Sequence, residues 1–292
     1  MKFSYLNSGH EMPMLGLGTY KITEKEEMFK VFKYALECGY RAFDTAQMYG
    51  NEEIIGETLE ELLPKFNLKR ADVFITSKLM TDQHGDKAAA AIDETLRKLR
   101  TDYIDLFLIH WPYVDGLERS DLKNGEIRAS SWKFLEKACI AGKIKSIGVS
   151  NYTIKHLDEM LKDGSPYKAR IRPAIDQVEF HPYLYQKEML DYCDENGMTL
   201  EGYSPLGSPK SKDILEEEVI KNLAKKYSKQ PAQIVLRWEI QHDVIVIPKS
   251  ANPERIKANI EVFDFSLSPA EMESINALNK NKHYASDPVD IA

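Results

Sequence analysis

The sequence predicts an α/β protein of the (β/α)8 class, a TIM barrel with an N-terminal hairpin before its first barrel strand. Short apolar strand segments alternate with amphipathic helical segments along the whole chain of 292 residues. Eight such repeats at this length suit a closed barrel better than an open doubly wound sheet. The first strand–helix turn, residues 16–21 (Gly-Leu-Gly-Thr-Tyr-Lys), also lacks the third glycine of the G-x-G-x-x-G pattern used by open dinucleotide-binding sheets.

The eight predicted strands are short and mostly apolar. In a barrel they run parallel, so their carboxyl ends meet at one mouth, where the active sites of such barrels form. Polar side chains at those ends are therefore the first candidates for function. The strands are predicted at residues 15–18, 40–44, 73–79, 104–110, 145–150, 174–179, 199–204 and 244–248.

The helical segments have recognisable ends. Thr23-Glu24-Lys25-Glu26 matches a capping box, and Gly39 is suited to end the first helix. Asn51 is expected to cap the second helix and Pro64 to follow its end, while residues 86–100 predict a third helix. The apolar faces of the first and third helices consist of Met28, Val31, Phe32, Ala35, Leu36, Ala88, Ala91, Ile92, Thr95, Leu96 and Leu99.

One connection is longer than a minimal barrel needs. Residues 111–131 are polar and contain the turn dipeptides Asp115-Gly116 and Asn124-Gly125, which predicts a large loop over one mouth after strand four. No linker-like tract rich in Ser, Gly or Pro divides the sequence. Residues 1–292 are therefore expected to form a single domain.

The last third of the chain departs from a plain strand–helix repeat. Residues 204–244 leave room for a loop and two helices, near 216–227 and 231–241. Residues 281–292 show no periodicity. They predict a short C-terminal tail that lies over the same mouth or against the barrel wall.

Composition excludes several classes of protein. The chain has 39 basic and 46 acidic side chains and a net charge of −7, which disfavours a nucleic-acid partner. Its longest apolar stretch, residues 104–114, is interrupted by charge and falls short of the about 18 residues of a membrane span. Cys38, Cys139 and Cys193 form neither a disulfide framework nor a zinc pattern. A cytoplasmic protein without a membrane partner or a metal site is expected.

Ionisable side chains stand at the ends of three consecutive predicted strands. Strand two ends in Asp44, with Tyr49 in the loop that follows, strand three ends near Lys78, and strand four ends in His110. Alone, Asp44 is equally a turn former and His110 a hydrogen-bonded structural residue. Lys78 follows an apolar run, and a buried ammonium needs a partner, which Asp44 on the neighbouring strand could supply. Together the four predict an active site.

Several motifs, in the same order along residues 12–265, show that the sequence resembles the aldo-keto reductases. That family folds as a (β/α)8 barrel and binds NADPH without a Rossmann fold, which agrees with the missing glycine. The motifs are residues 39–46 (Gly-Tyr-Arg-Ala-Phe-Asp-Thr-Ala), 105–112, 148–151 (Gly-Val-Ser-Asn), 202–207 (Gly-Tyr-Ser-Pro-Leu-Gly) and 247–250 (Ile-Pro-Lys-Ser), with Tyr49, Asn51, Glu52, Gln177 and Arg255.

The resemblance implies a catalytic tetrad of Asp44, Tyr49, Lys78 and His110 that reduces a carbonyl group. Tyr49 would give the proton to the carbonyl oxygen, and a nearby Lys78 ammonium is expected to lower the pKa of that phenol toward neutrality. Asp44 would pair with Lys78 and hold it in position. His110 would hydrogen-bond the carbonyl oxygen as negative charge develops there.

The resemblance also implies an NADPH site along the later strand ends. Ser150, Asn151 and Gln177 can pair with a carboxamide, and Tyr203 can stack on the nicotinamide ring. Lys249 and Arg255 flank a predicted helix start, a favourable seat for the 2′-phosphate. The full set of expected cofactor contacts is Gly18, Thr19, Tyr20, Asp44, Ser150, Asn151, Gln177, Tyr203, Ser204, Leu206, Ser208, Lys249, Ser250, Arg255 and Asn259.

The expected reaction is NADPH-dependent reduction of aldehydes and some ketones, by a monomer acting on a small-molecule carbonyl substrate. Two alternatives stay open: a non-catalytic NADPH-binding protein of the same fold, and a Schiff-base aldolase that uses Lys78. Asp44 disfavours the aldolase because it keeps Lys78 protonated. The candidate substrate-binding residues are Tyr20, Met48, Tyr49, Met80, His110 and Trp111.

Overall fold

The chain begins with the expected hairpin, formed by the antiparallel strands β1 (Phe3–Tyr5) and β2 (Glu11–Pro13). In this computed structural model, which describes residues 2–208, 211 and 213–292, the hairpin lies at the amino-terminal end of the barrel. There Ser8 Oγ lies 2.7 Å from Ser146 Oγ, and Asn7 donates to the carbonyl oxygen of Pro173 at 2.8 Å. The hairpin therefore covers the end of the barrel opposite the predicted site.

Eight parallel strands form the barrel wall, and each is hydrogen-bonded to the next in chain order. Their ends agree with those of the predicted strands to within about two residues, which is the ordinary variation in where a regular element is taken to end. The fold class predicted from the sequence is thereby confirmed. The barrel strands are β3 (Leu17–Gly18), β4 (Ala42–Asp44), β5 (Phe74–Leu79), β6 (Ile104–Ile109), β7 (Ile144–Ser150), β8 (Ile175–Glu179), β9 (Thr199–Tyr203) and β10 (Ile245–Val246).

The first and last strands meet and close the ring. Leu15 forms a parallel bridge with Val246, and the Gly16 N–H donates to the Val246 carbonyl oxygen at 2.9 Å. Gly18 permits this close approach, because a Cβ atom there would lie 2.9 Å from the Ile247 carbonyl oxygen. A side chain at Gly18 would therefore push the seam open.

Helices surround the barrel and bury their apolar faces against it. The predicted apolar faces of the first and third helices are confirmed, because every one of their members is buried. The helices are α1 (Lys25–Glu37), α2 (Glu52–Lys65), α3 (Ala88–Lys98), α4 (Lys123–Ile140), α5 (Ile154–Leu161), α6 (Lys187–Glu195), α7 (Asp213–Glu216), α8 (Glu218–Tyr227), α9 (Pro231–Gln241), α10 (Pro253–Ile260) and α11 (Pro269–Asn276).

Two predicted helix ends are wrong. The N-cap of α1 is Glu24 and forms no side-chain cap bond, so the backbone becomes helical one residue too late for Thr23 to close a capping box. Pro64 lies inside the last turn of α2 rather than after it. A proline there is tolerated because it forfeits one backbone hydrogen bond only a residue before the helix ends.

Asn51 occupies the N-cap position of α2, as predicted, but its side chain does not cap the helix. It is fully buried and joins three loop segments instead. Its Nδ2 donates to the carbonyl oxygens of Thr19 (3.1 Å) and Ile22 (3.0 Å), and its Oδ1 accepts from Thr45 Oγ1 at 2.6 Å. Asn51 thus ties the loop after β3 to the loop that carries Tyr49.

The large loop after β6 is present but shorter than predicted, because α4 begins at Lys123. The Asn124-Gly125 pair does not form a turn between strands. The buried Asn124 side chain accepts from the Val114 N–H at 2.9 Å and donates to the Glu118 carbonyl oxygen at 2.9 Å, so it fastens the loop to the start of the helix.

The C-terminal tail runs along the carboxyl-end rim of the barrel, in agreement with the prediction. The Tyr284 N–H donates to Glu179 Oε1 at 2.7 Å, at the end of β8. Further on, the Ile291 carbonyl oxygen lies 3.1 Å from His156 Nε2, and the Ala292 N–H donates to the Arg119 carbonyl oxygen at 2.8 Å. The tail therefore borders the mouth from β8 to the loop after β6.

Replacing Asn51 tests the link between the two loops. Asn51→Ala leaves two buried carbonyl oxygens and the Thr45 hydroxyl without their partner, so we expect a loss of about 2–4 kcal/mol in the free energy of unfolding. Urea denaturation measures it. Asn51→Asp keeps an acceptor for Thr45 but loses both donors. If Asn51→Ala unfolds at the same urea concentration as the wild type, the side chain does not hold the loops.

Candidate active site

A buried ion pair stands at the centre of the carboxyl-end mouth. Lys78, from β5, is 0% exposed. Its Nζ lies 2.7 Å and 2.8 Å from the two carboxylate oxygens of Asp44, at the end of β4. It also donates to the Thr45 carbonyl oxygen at 2.9 Å and to Tyr49 Oη at 3.3 Å. The predicted partnership of Asp44, Tyr49 and Lys78 is thus formed in space.

The charge state of Lys78 follows from these contacts. Burial by itself lowers the pKa of Lys78, but Asp44 first and Tyr49 next act in the opposite direction, and the resulting pKa is raised above its ordinary value. The side chain is therefore an ammonium at neutral pH. A Schiff base needs a neutral amine as its nucleophile, so this environment disfavours the aldolase alternative.

Tyr49 is held by a short 3-10 turn, Gln47–Tyr49, whose first side chain anchors it. Gln47 Nε2 donates to the Ala91 carbonyl oxygen at 2.9 Å, and Gln47 Oε1 accepts from the Met80 N–H at 2.8 Å. The turn is thereby fixed to the next strand end and to α3. Sequence reasoning missed Gln47, although its place two residues before Tyr49 was a usable signal.

The expected direction of the Tyr49 pKa is wrong for this structure. Burial raises the pKa of the Tyr49 phenol above its ordinary value, although Lys78 acts to lower it. The desolvation of a nearly buried phenol outweighs one ammonium that Asp44 already neutralises in part. Tyr49 therefore carries its proton at neutral pH, and Lys78 reduces the cost of releasing it.

His110 follows β6 and faces the phenol. The two ring centroids are 5.8 Å apart with the planes at 74°. Burial first, and the Lys78 charge second, lower the pKa of His110 well below its ordinary value. The imidazole is therefore neutral. Its ring nitrogens form no hydrogen bond with any part of the chain that the structure describes, so its N–H is available to an oxygen placed beside Tyr49.

Polar residues at the ends of β7 and β9 form one network with the middle of β8. Asn151 Nδ2 donates to the His110 carbonyl oxygen (2.9 Å) and to Ser150 Oγ (3.1 Å), and Asn151 Oδ1 accepts from Tyr203 Oη (2.8 Å). Ser150 Oγ donates to the Gln177 backbone carbonyl at 2.8 Å. These donors are already used within the protein. The network offers acceptor oxygens to a ligand, which suits the N–H groups of a carboxamide.

Two expected cofactor contacts near the first strand have structural roles of their own. Gly18 allows the barrel seam to close, as described above. Thr19 is fully buried and donates from Oγ1 to the Asp44 carbonyl oxygen at 2.8 Å. Its side chain is thus directed to the barrel strands. Whether either backbone also contacts a cofactor stays a prediction.

The start of α10 presents positive charge. The helix start predicted between Lys249 and Arg255 is confirmed: Asn252 caps it, since its Oδ1 accepts from the Arg255 N–H at 3.0 Å, and Pro253 follows in the first turn. Lys249 and Arg255 are exposed, and neither forms an ion pair within the described ranges. Uncompensated cations at a helix N-terminus fit a phosphate group. Asn259, one turn further, is buried.

The remaining expected contacts lie around the same mouth. Ser204 begins the loop after β9 with a left-handed backbone, φ 51°, and Leu206 is half-buried there. Ser250 is buried and its Oγ accepts from the Asn252 N–H at 3.1 Å. Ser208 is half-buried in the loop, near the limit of the described residues.

The candidate substrate residues lie in the loops that follow β3, β4, β5 and β6. The Tyr20 ring is half exposed, with its centroid 5.0 Å from that of Tyr49. Met48 is exposed at 46%, while Met80 and Trp111 are half-buried after β5 and β6. Aromatic and thioether groups thus stand in the loops that follow β3, β4, β5 and β6, and their contact with a substrate stays a prediction.

Other kinds of site are not evident in the described part of the chain. Within residues 2–208, 211 and 213–292, no three His, Cys, Asp or Glu side chains are grouped so as to hold a metal ion. No helix among those residues is long and apolar enough to cross a membrane. Cys38, Cys139 and Cys193 are all free thiols.

Fold and site together define a (β/α)8 barrel that holds a tyrosine phenol, an ion-paired lysine and a histidine at its mouth. The sequence model of the Aldo/keto reductase family matches residues 14–280. The chain belongs to that family, as the resemblance indicated.

Relatives and solved structures agree with this assignment. Human aldo-keto reductase family 1 member A1 is 44% identical over 96% of this chain and 90% of the relative. Glyoxal reductase of Bacillus subtilis is 41% identical over 98% of this chain and 96% of the relative. An aldo-keto reductase from a deep-sea metagenome library superposes with a TM-score of 0.88 at 38% identity, covering 99% of both chains.

The neutral state of His110 can be observed directly. In the folded protein we expect its ring to remain unprotonated from pH 8 down to well below the ordinary histidine pKa of about 6.5. NMR of the imidazole nitrogens, assigned with His110→Gln, measures this, and the urea-unfolded chain is the reference. Since the folded pKa lies below the unfolded one, His110 makes folding less favourable as pH falls below about 6.5. A folded ring that titrates near that value would contradict the assignment.

Proposed function

We propose that the protein is an NADPH-dependent reductase of aldehydes and some ketones, with Tyr49 as the proton donor. The observation that carries the proposal is the contact of Tyr49 Oη with Lys78 Nζ, at 3.3 Å, beside the Lys78–Asp44 ion pair. This places a protonated phenol next to a fixed positive charge. Membership of the aldo/keto reductase family supports a reaction at a carbonyl group.

The side chains of the tetrad would act together on the carbonyl oxygen. Neutral His110 donates a hydrogen bond to that oxygen and orients it. Tyr49 transfers its proton to the same oxygen, and Lys78 stabilises the phenolate that is left. Asp44 keeps Lys78 charged and in place through two hydrogen bonds. When bound, NADPH supplies the hydride for the carbonyl carbon.

The residues present fit such a cofactor. Tyr203, at the end of β9, offers a flat, half-buried ring. Gln177, in the middle of β8, offers a carbonyl oxygen beside Asp44. Lys249 and Arg255 have charges that are not paired with carboxylates in the described part of the chain. This arrangement supports a preference for the 2′-phosphate of NADPH over the hydroxyl of NADH.

The side chains around the mouth and the names of the relatives support the proposed substrate class. Glyoxal reductase, by its name, reduces a small dicarbonyl, and the aldose reductase of Schistosoma japonicum superposes with a TM-score of 0.86 at 36% identity. Tyr20, Met48 and Trp111 suit apolar or aromatic aldehydes. We further propose that the enzyme works as a cytoplasmic monomer of one domain.

Removing the phenolic hydroxyl tests the proton donor. Tyr49→Phe should lower kcat for aldehyde reduction by about 100- to 10,000-fold, the usual loss of a general acid. NADPH affinity should remain nearly unchanged. Oxidation of NADPH is followed at its near-ultraviolet absorbance band with an aromatic aldehyde, methylglyoxal and an aldose. Tyr5→Phe, in the exposed hairpin at the other end of the barrel, is the matched control.

Three other outcomes would contradict parts of the proposal. Retained turnover in Tyr49→Phe would remove this residue as the proton donor. Tight NADPH binding by the wild type, with no turnover on any aldehyde, would favour the non-catalytic binding protein. Borohydride trapping of a substrate adduct on Lys78 would favour the aldolase.

Removing a cation at α10 tests the phosphate site. Lys249→Ala or Arg255→Ala should weaken NADPH by about 10- to 100-fold, the value of a charge-assisted hydrogen bond, and should affect NADH much less. Fluorescence titration gives both dissociation constants. Lys257→Ala removes an exposed cation from the same helix and is the control. Equal weakening of the two cofactors would mean that the phosphate is bound elsewhere.

A further inference from the structure

A carboxyl group that the reaction does not require lies inside the barrel. Glu201 occupies the middle of β9 and is 0% exposed. In the parallel register it stands beside Gln177 of β8 and Ile245 of β10. A single acidic residue within an otherwise apolar strand, Thr-Leu-Glu-Gly-Tyr, is the sequence signal for this position. Burial of such a group is costly, so its contacts call for an explanation.

Glu201 is connected to the tetrad through one side-chain amide. Gln177 Nε2 donates one hydrogen to Glu201 Oε2 at 2.8 Å and the other to Asp44 Oδ2 at 2.9 Å. Both amide hydrogens are therefore used. Gln177 Oε1 accepts no hydrogen bond from the residues that the structure describes. This oxygen is therefore the atom of the Gln177 side chain that is available to a ligand.

The charge of Glu201 is governed by its surroundings. The charged groups that face it are Asp44 on β4 and Lys78 on β5, while its neighbours on β8 and β10 are uncharged. Burial, and next the Asp44 carboxylate, raise the pKa of Glu201 to about 8. At pH 7 the carboxyl is therefore mainly neutral. The charge of the Lys78 ammonium is then balanced by the Asp44 carboxylate alone.

An isolated glutamine amide can rotate by half a turn and exchange its oxygen and nitrogen. Here that rotation would place Gln177 Oε1 against the Asp44 carboxylate, which has no hydrogen to donate, and would take Nε2 away from Glu201 Oε2. Asp44 accepts only one of the two hydrogens of the Gln177 amide. Asp44 and Glu201 together accept both. The amide orientation thus depends on Glu201 as well as on the tetrad.

We propose that Glu201 is a positioning residue that locks the Gln177 amide, so that Gln177 presents only an acceptor oxygen to the primary amide of the nicotinamide group. This inference rests on the proposed function and adds to it a residue that is itself out of reach of the cofactor. The fixed Gln177 oxygen can recognise only one kind of ligand group. The locked oxygen binds an N–H donor and rejects a group that offers only acceptors.

The experiment compares NADPH with adenosine 2′,5′-bisphosphate, which has the phosphate and adenine but no nicotinamide. Glu201→Met removes the acceptor at nearly constant length. We expect it to weaken NADPH by about fivefold to tenfold at pH 7 and to leave the bisphosphate unchanged. Glu201→Gln keeps an acceptor oxygen and should restore most of the NADPH affinity. Glu201→Leu also removes the acceptor, with a branched side chain, and should weaken NADPH binding to a similar extent.

Glu239→Gln is the matched control. Glu239, on α9, is also 0% exposed, and both of its carboxyl oxygens lack a hydrogen-bond partner among the described residues. It lies outside the chain of hydrogen bonds to Asp44. Its replacement should leave the ratio of the two affinities unchanged, even if it alters the thermal midpoint Tm.

The neutral state of Glu201 has its own readout. Because the folded pKa lies above the unfolded value of about 4.3, the wild type loses stability as pH rises from about 4.3 to 8. Glu201→Gln lacks this loss, so its Tm advantage over the wild type should grow between pH 5 and 8 and then level off. A constant difference would mean that Glu201 is ionised throughout and would overturn the neutral state.

The outcomes separate the two proposals. A wild type that binds neither NADPH nor the bisphosphate would overturn the proposed function and this inference with it. A wild type that binds both, with Glu201→Met and Glu201→Leu weakening both equally or neither, would overturn the inference alone. Selective loss of NADPH affinity, restored in Glu201→Gln, supports it.

Discussion

The site depends on one buried ion pair, between Lys78 and Asp44. An ammonium that is 0% exposed is stable only if its donors are satisfied, and here a carboxylate, a backbone carbonyl and a phenol accept them. Lys78 and its three acceptors therefore hold one another in position. Removing either charged partner would leave the other uncompensated inside the barrel.

The barrel makes this arrangement possible because adjacent parallel strands bring their carboxyl ends to one mouth. Asp44 and Lys78 come from neighbouring strands, and His110 follows the next strand along. Around the pair, burial keeps the other titratable groups uncharged: the pKa of Tyr49 is raised and that of His110 is lowered. The site thus combines one fixed charge pair with an uncharged phenol and an uncharged imidazole, whose O–H and N–H groups suit an oxygen that gains negative charge.

Sequence reasoning succeeded where the signal is local and failed where it depends on distant contacts. Strand positions and apolar helix faces follow from periodicity, and the strand ends identified the tetrad. The role of Asn51 was missed because two of its partners, the carbonyl oxygens of Thr19 and Ile22, lie 32 and 29 residues earlier, on another loop. The pKa of Tyr49 was expected to fall, because the Lys78 contact was foreseeable and the extent of burial was not.

The sequence alone therefore determined the order of strands and helices, the fold class, the family and the residues of the tetrad, since each depends on residue type and spacing. The tertiary structure decided which partner satisfies each polar group. Only in three dimensions do Gln177, Asp44 and Glu201 meet, and there burial and the nearby Asp44 charge together raise the pKa of Glu201. Desolvation depends on everything packed around a group, and no short stretch of sequence contains that information.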